Sequence, residues 1–155
     1  MFTSACRRTL EVDPTHLVPE QHMWTTKNDA RSAVFGAYGL FRAALADNNA
    51  WLAYGELRAG DFSSTARSDL NALASNQLNA TSPALEQWKS WRRFYAVIAQ
   101  TNLCLEKLPL VHERDFRYTP EEQQLDIANV RFMRALTYFY LVLIWSDEPL
   151  LTGTG

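Results

Sequence analysis

Asn129–Leu150 reads NVRFMRALTYFYLVLIWSDEPL, and from Ala135 to Trp145 ten of its eleven positions are apolar or aromatic. Leu, Met, Ala and Arg outnumber the β-branched residues, so the stretch reads as a helix buried on nearly all sides. Eleven residues fall short of the roughly 18 that a bilayer-spanning helix needs, so the cover has to be protein. Arg131 and Arg134 stand one turn before the run, where they fan outward. Asp147 and Pro149 are expected to stop the helix, because proline cannot continue it and biases the preceding residue away from helical angles.

The chain around this rod has 155 residues, 47% of them hydrophobic, enough for one domain with a core. Five Trp, six Tyr and eight Phe form an aromatic excess that serves either core or ligand stacking, with core the ordinary use. A net charge of −2 and scattered basic residues offer nothing to a phosphate backbone, so no nucleic-acid partner is expected. Cys6 and Cys104 are too few for a disulfide framework; Cys104, between Leu103 and Leu105, reads as a small buried hydrophobe.

In chain order, Met1–Cys6 (MFTSAC) has small residues directly before a cysteine, as at the end of a bacterial lipoprotein signal. It has no charged n-region or apolar h-region, and Thr3 stands where such signals carry an apolar residue. Cys6 is therefore either an acylated anchor or an ordinary N-terminal cysteine. Pro14 and Pro19 mark an extended lead-in over residues 1–25, with His16 and His22 at no zinc spacing. A first helix is expected from Thr26 to Asp47, capped by Thr26 with Asp29 and striped by Val34, Tyr38, Phe41 and Leu45. Gly36 and Gly39 inside it suggest close approach of a neighbouring helix. Ala50–Leu57 is a second short helical segment. Ser63–Ser82 then reads as a polar loop, long enough to be functional or disordered, and the surface most exposed to a ligand. Ser82-Pro83 opens a long helix with Trp88, Trp91, Tyr95, Ile98, Asn102 and Leu105 on one face, expected to end before Pro109. After a charged connector holding His112, Thr119 and Glu122 form a capping box for the helix that contains the central rod. The two long helices should pack as an antiparallel hairpin.

No phosphate cradle, HExxH, paired-cysteine spacing or nucleophile elbow appears, so neither a metal nor another cofactor is expected. The acidic pairs Glu121 with Glu122 and Glu56 with Asp61 have structural explanations, and nothing selects a glycosidase pair. Binding is the better class than catalysis.

Three stretches resemble the SusD/RagB family of bacterial nutrient-binding lipoproteins: ELRAGDF at Glu56–Phe62, the Trp88-to-Asn102 helix closing with Leu105–Pro109, and VRFMRALTYFYLVLIWSDEPLL. In the last, Ser146 and Glu148 stand where the family usually has glycine and valine. The resemblance implies an all-α fold of tetratricopeptide-like antiparallel helical pairs, with residues 26–155 the N-terminal, incomplete part of a larger helical domain. It also implies a surface-facing outer-membrane protein, anchored through an acylated Cys6, that captures glycans or peptides for a SusC-like TonB-dependent transporter. The corresponding ligand-binding candidates here are Asp61, Asn71, Asn76 and Asn79 for polar contacts and Trp51 as a stacking face, with core burial the alternative for Trp51. If nothing further covers the rod, an apolar patch should remain exposed. The competing class is a helical-repeat adaptor that binds another protein.

Overall fold

A computed structural model describes residues 23–47, 50–63, 66–77 and 90–154 of the chain. The six helices among these residues are α1 (Lys27–Ala46), α2 (Ala50–Tyr54), α3 (Glu56–Ala59), α4 (Ser68–Ala74), α5 (Arg92–Arg114) and α6 (Pro120–Trp145). The described residues contain no strand, and the all-α expectation holds.

Both capping boxes form. The Thr26 hydroxyl accepts the Asp29 N–H at 3.2 Å, and Asp29 Oδ2 accepts the Thr26 N–H at 2.8 Å. The Thr119 hydroxyl accepts the Glu122 N–H at 3.3 Å, with Glu122 Oε2 returning the bond to Thr119 N–H at 3.2 Å. Each satisfies donors that a helix start leaves open.

Helices α5 and α6 form the expected antiparallel hairpin: Gln123 Nε2 reaches the Leu108 carbonyl near the turn, Arg134 meets Asn102 midway, and at the open end Phe94 stacks on Tyr140 and meets Trp145 edge-on. Helix α1 lies in their groove, antiparallel to α5, with Gln100 Nε2 donating to the Ala33 carbonyl at 3.2 Å and Arg93 paired to Asp47 at 3.1 Å. One core lobe sits by the turn: Trp24, Ala30, Ala33, Val34, Cys104, Leu108, Val111, Tyr118 and Val130. The other gathers Ala44, Phe94, Ile98 and Leu141 with the rings of Tyr54, Tyr140 and Trp145. The aromatic excess is only partly core: Trp24, Phe94 and Tyr118 are buried and six further rings half-buried, whereas Phe35, Tyr38, Trp51, Phe62, Trp91, Phe116, Phe132 and Phe139 are exposed. Cys104 is fully buried, and burial pushes its thiol up to about 11, leaving it inert.

Several expectations are corrected by packing. On α1 the buried face is Ala30, Ala33, Val34, Ala37 and Ala44, while Tyr38 is exposed, because small side chains let α1 approach α5 closely. The glycines do not supply that approach: a Cβ at Gly39 would meet nothing within 4 Å, and one at Gly36 only the flexible Gln100 amide at 3.8 Å. Between α2 and α3, glycine eases a tight approach, since a Cβ at Gly55 would sit 3.1 Å from the Trp51 carbonyl. The polar stretch is not one loop, because α4 forms within it and buries Leu73 against Ala50 and Ala53. Residues 81–89, with the Ser82 cap and Trp88, lie outside the described residues, and Ser90 is not helical, so α5 starts at Arg92. It then runs through Pro109 to Arg114. Pro109 is exposed while Leu108 and Val111 are fully buried, and that burial outweighs the missing N–H. His112 is accordingly helical, and its Nδ1–H donates to the Tyr118 carbonyl at 2.6 Å.

The largest correction concerns the central rod. On α6 only Val130, Met133, Thr137 and Leu141 are buried, a single stripe against α1 and α5. Leu125, Ala128, Phe132, Ala135, Phe139 and Val142 are all exposed at alternating spacings of three and four, which draws a second, uncovered seam. As a whole, α6 is also long and apolar enough to cross a membrane, unlike the eleven-residue run alone. Arg134 turns inward rather than fanning out, and Ser146, with φ of 71°, ends the helix ahead of Asp147 and Pro149.

Candidate functional site

Trp51, Asp61, Asn71 and Asn76 fall on one small unit built from α2, α3 and α4, held together by Ala50 and Ala53 of α2 packed on Leu73 of α4. That packing turns the opposite side of α2 outward, so Trp51 is 55% exposed and not part of the core. Asp61 follows Gly60, whose φ of 85° closes α3, and its N–H donates to the Glu56 carbonyl at 3.1 Å while the side chain is exposed. The next residue, Phe62, is 54% exposed. Sequence reasoning read it only as the end of a motif, although an aromatic two residues past a helix-closing glycine has little to bury against.

Asn71 is exposed on α4. Asn76 sits just past its end with φ of 58°, its N–H donating to the Leu73 carbonyl at 3.0 Å. Asparagine tolerates that left-handed angle, so Asn76 has a structural use as well as an exposed amide. The start of α4 is pinned by Arg67, whose guanidinium bonds both carboxylate oxygens of Asp69 and lowers that carboxyl's pKa. Asn79 and Cys6 lie outside the described residues. The unit therefore presents two aromatic faces and exposed Asp and Asn side chains, a set suited to stacking and hydrogen bonding a polar ligand.

A second cluster was missed as a unit. Asn102, only 4% exposed on α5, uses its whole amide. Nδ2 donates to the carbonyls of Leu151 at 3.0 Å and Gly153 at 2.9 Å, and Oδ1 accepts from Arg134 Nη1 at 2.9 Å. The Tyr138 hydroxyl accepts the Leu151 N–H at 2.7 Å and donates to the Leu151 carbonyl at 2.9 Å. Tyr95 donates to the Pro149 carbonyl at 2.7 Å, and the Thr154 hydroxyl to Glu106 Oε2 at 2.7 Å. Residues 149–154 thus form a strap tied across the α5–α6 hairpin, bordering a groove of about 720 Å³ lined by Tyr95, Ala96, Ala99, Gln100 and Leu103. Arg134, Tyr138 and Asn102 are among the very residues that carry the sequence resemblance, and here they clamp backbone. The four-residue spacing of Arg134 and Tyr138 on α6 was readable, but not the strap that they and Asn102 of α5 hold.

Residues 20–154 match the model of the SusD-like family, described as starch-binding associating with outer membrane. Two curated proteins of Formosa agariphila are similar along the chain: SusD-like protein P38, 28% identical over 96% of this chain and 28% of its own length, and SusD-like protein P25, 30% identical over 96% and 29%. Among solved structures, a SusD superfamily protein from Bacteroides thetaiotaomicron superposes with a TM-score of 0.82 at 48% identity, over 86% of this chain and 29% of that one. The chain therefore spans under a third of the length of these relatives.

Proposed function

The chain belongs to the SusD-like family, and from that membership we propose that residues 26–155 are the N-terminal helical part of a surface nutrient-binding lipoprotein of the outer membrane. In this reading Cys6 carries the lipid anchor, the ligand is a glycan or a peptide, and captured ligand passes to a SusC-like TonB-dependent transporter. The observation that carries it is the family match over residues 20–154, whose description couples starch binding to the outer membrane.

The task is capture without turnover. Trp51 and Phe62 offer flat apolar faces, on which the C–H face of a sugar ring stacks, while Asp61, Asn71, Asn76 and Asn79 supply hydrogen bonds to hydroxyls or to peptide amides. Exposed contacts of this kind are individually weak, so affinity must come from several acting together. Calorimetric titration of glycan ladders and peptides against the complete gene product tests the assignment. Trp51→Ala and the Asn76→Ala, Asn79→Ala pair are each expected to weaken binding about tenfold, or about 1.4 kcal/mol. Affinity unchanged in both would remove these residues from the site. For the anchor, Cys6→Ser should release the protein from membranes and abolish incorporation of radiolabelled palmitate.

A second reading, a helical-repeat adaptor, is favoured by the uncovered seam on α6, which has the three-and-four spacing that accepts a partner helix. On that reading Phe132→Gln with Phe139→Gln abolishes binding of the partner, and the Trp51 and Asn76 variants leave it intact.

A further inference from the structure

Residues 149–153 are held to the hairpin almost wholly by their backbone. Asn102 on α5 donates to the carbonyls of Leu151 and Gly153, Tyr138 on α6 engages both the N–H and the carbonyl of Leu151, and Tyr95 donates to the carbonyl of Pro149. Leu150 and Leu151 are 72% and 51% exposed, so neither side chain seals the strap onto the helices. Apolar burial contributes little here, and the hydrogen bonds carry the contact. Bonds of this kind read N–H and C=O groups that any extended peptide carries, whatever its side chains.

The receiving side is rigid. Asn102 Oδ1 is fixed by Arg134 Nη1 at 2.9 Å, which orients the amide so that both of its N–H groups point at the strap. Beside these donors the groove of about 720 Å³ is lined by Ala96, Ala99 and Leu103, an apolar wall with room for the side chain of an incoming segment. The strap reaches this site through a strained joint. Ser146 has φ of 71° and ψ of −120°, a backbone conformation in which glycine sits comfortably and a residue with a Cβ does not. A separate peptide meets the same donors and acceptors without that joint, at the cost of its own translational freedom.

We propose that this face of the α5–α6 hairpin is a binding site for an extended peptide, which residues 149–153 fill in cis and which a peptide from another chain takes by displacing them. Asn102, Tyr138 and Tyr95 grip the backbone of the incoming segment, and the alanine-lined groove accepts one of its apolar side chains. The site is separate from the α2–α4 unit and independent of the lipid anchor and the transporter.

The probe is a fluorophore-labelled peptide copying residues 147–154, DEPLLTGT, titrated by anisotropy against the complete gene product. Leu151→Pro removes the N–H held by Tyr138, and Thr154→Val removes the tie to Glu106; both changes lie on the strap and leave the groove side chains in place. Each should tighten peptide binding about tenfold over wild type, the worth of one hydrogen bond withdrawn from the competitor. Ser146→Gly, which relaxes the joint, should weaken it. Adding Tyr138→Phe to the Leu151→Pro chain should cost about tenfold, and so should methylating the peptide nitrogen that matches Leu151, a control that needs no altered protein. Trp51→Ala should leave these affinities unchanged. No tightening in either strap variant, tighter binding in Ser146→Gly, indifference to both Tyr138→Phe and the methylated peptide, or a loss of affinity in Trp51→Ala overturns the proposal.

Discussion

Asn102 shows how one side chain can hold two levels of structure. It satisfies two strap carbonyls and one guanidinium while almost fully buried, so truncation leaves an unpaired Arg134 and two carbonyls to find water. Asn102→Ala is expected to cost about 2–4 kcal/mol, read as a lower urea midpoint at unchanged slope. Asp115 does similar work at the other end of the hairpin. Its carboxylate accepts from the Arg117 guanidinium and from the Lys27 N–H at the start of α1, and these bonds, Arg117 first, hold it well below the usual carboxylate range. A depressed value means stability that is present above the unfolded value, near 4, and lost as pH falls below it. Asp115→Asn should therefore lower Tm at pH 7, and the gap to wild type should narrow on going from pH 5 to pH 2; a gap that stays constant would show that the carboxylate charge is not what matters. Trp24 is the residue that sequence reasoning missed outright. In a stretch read as extended lead-in it is 4% exposed with φ of 65°, its carbonyl receiving Arg114 Nη1 at 3.1 Å. A lone tryptophan outside any periodic run gives no hint of what it will pack against.

At the scale of elements, local rules placed the starts of α1 and α6 well, whereas α5 begins at Arg92 instead of just after Ser82 and runs past the stop expected at Pro109. The two capping boxes depend on residues three apart, so they were legible without a tertiary structure. The stop expected at Pro109 depended on whether burial of Leu108 and Val111 exceeds the loss of one hydrogen bond, which the chain alone does not say. If α5 is continuous, Pro109→Ala restores the N–H to Leu105 at an exposed position and should stabilise by about 2 kcal/mol, net of the entropy the unfolded chain regains. No gain in thermal unfolding would mean the helix is broken there. The α2–α4 unit follows the same logic, since α4 is short and polar and owes its place to Leu73 packing on two alanines.

For the whole molecule the consequential feature is the second face of α6. Phe132 and Phe139 are 61% and 57% exposed within these 155 residues, so the 155-residue chain taken by itself should bind a dye such as ANS. Phe132→Gln with Phe139→Gln should abolish most of that fluorescence while changing stability by less than about 0.5 kcal/mol per site; a large loss of stability would place those rings in a core. The sequence by itself determined the all-helical class, the caps, the pairing of the last two helices and, through its motifs, the family, because each rests on residues close together in the chain. Only the tertiary structure decided which side of each helix is inside, that Trp51 and Phe62 face outward together with Asp61, and that Asn102, Arg134 and Tyr138 clamp a strap. Facing depends on what lies across the interface, and an apolar run that is greasy all round carries no mark of which side its neighbours will cover.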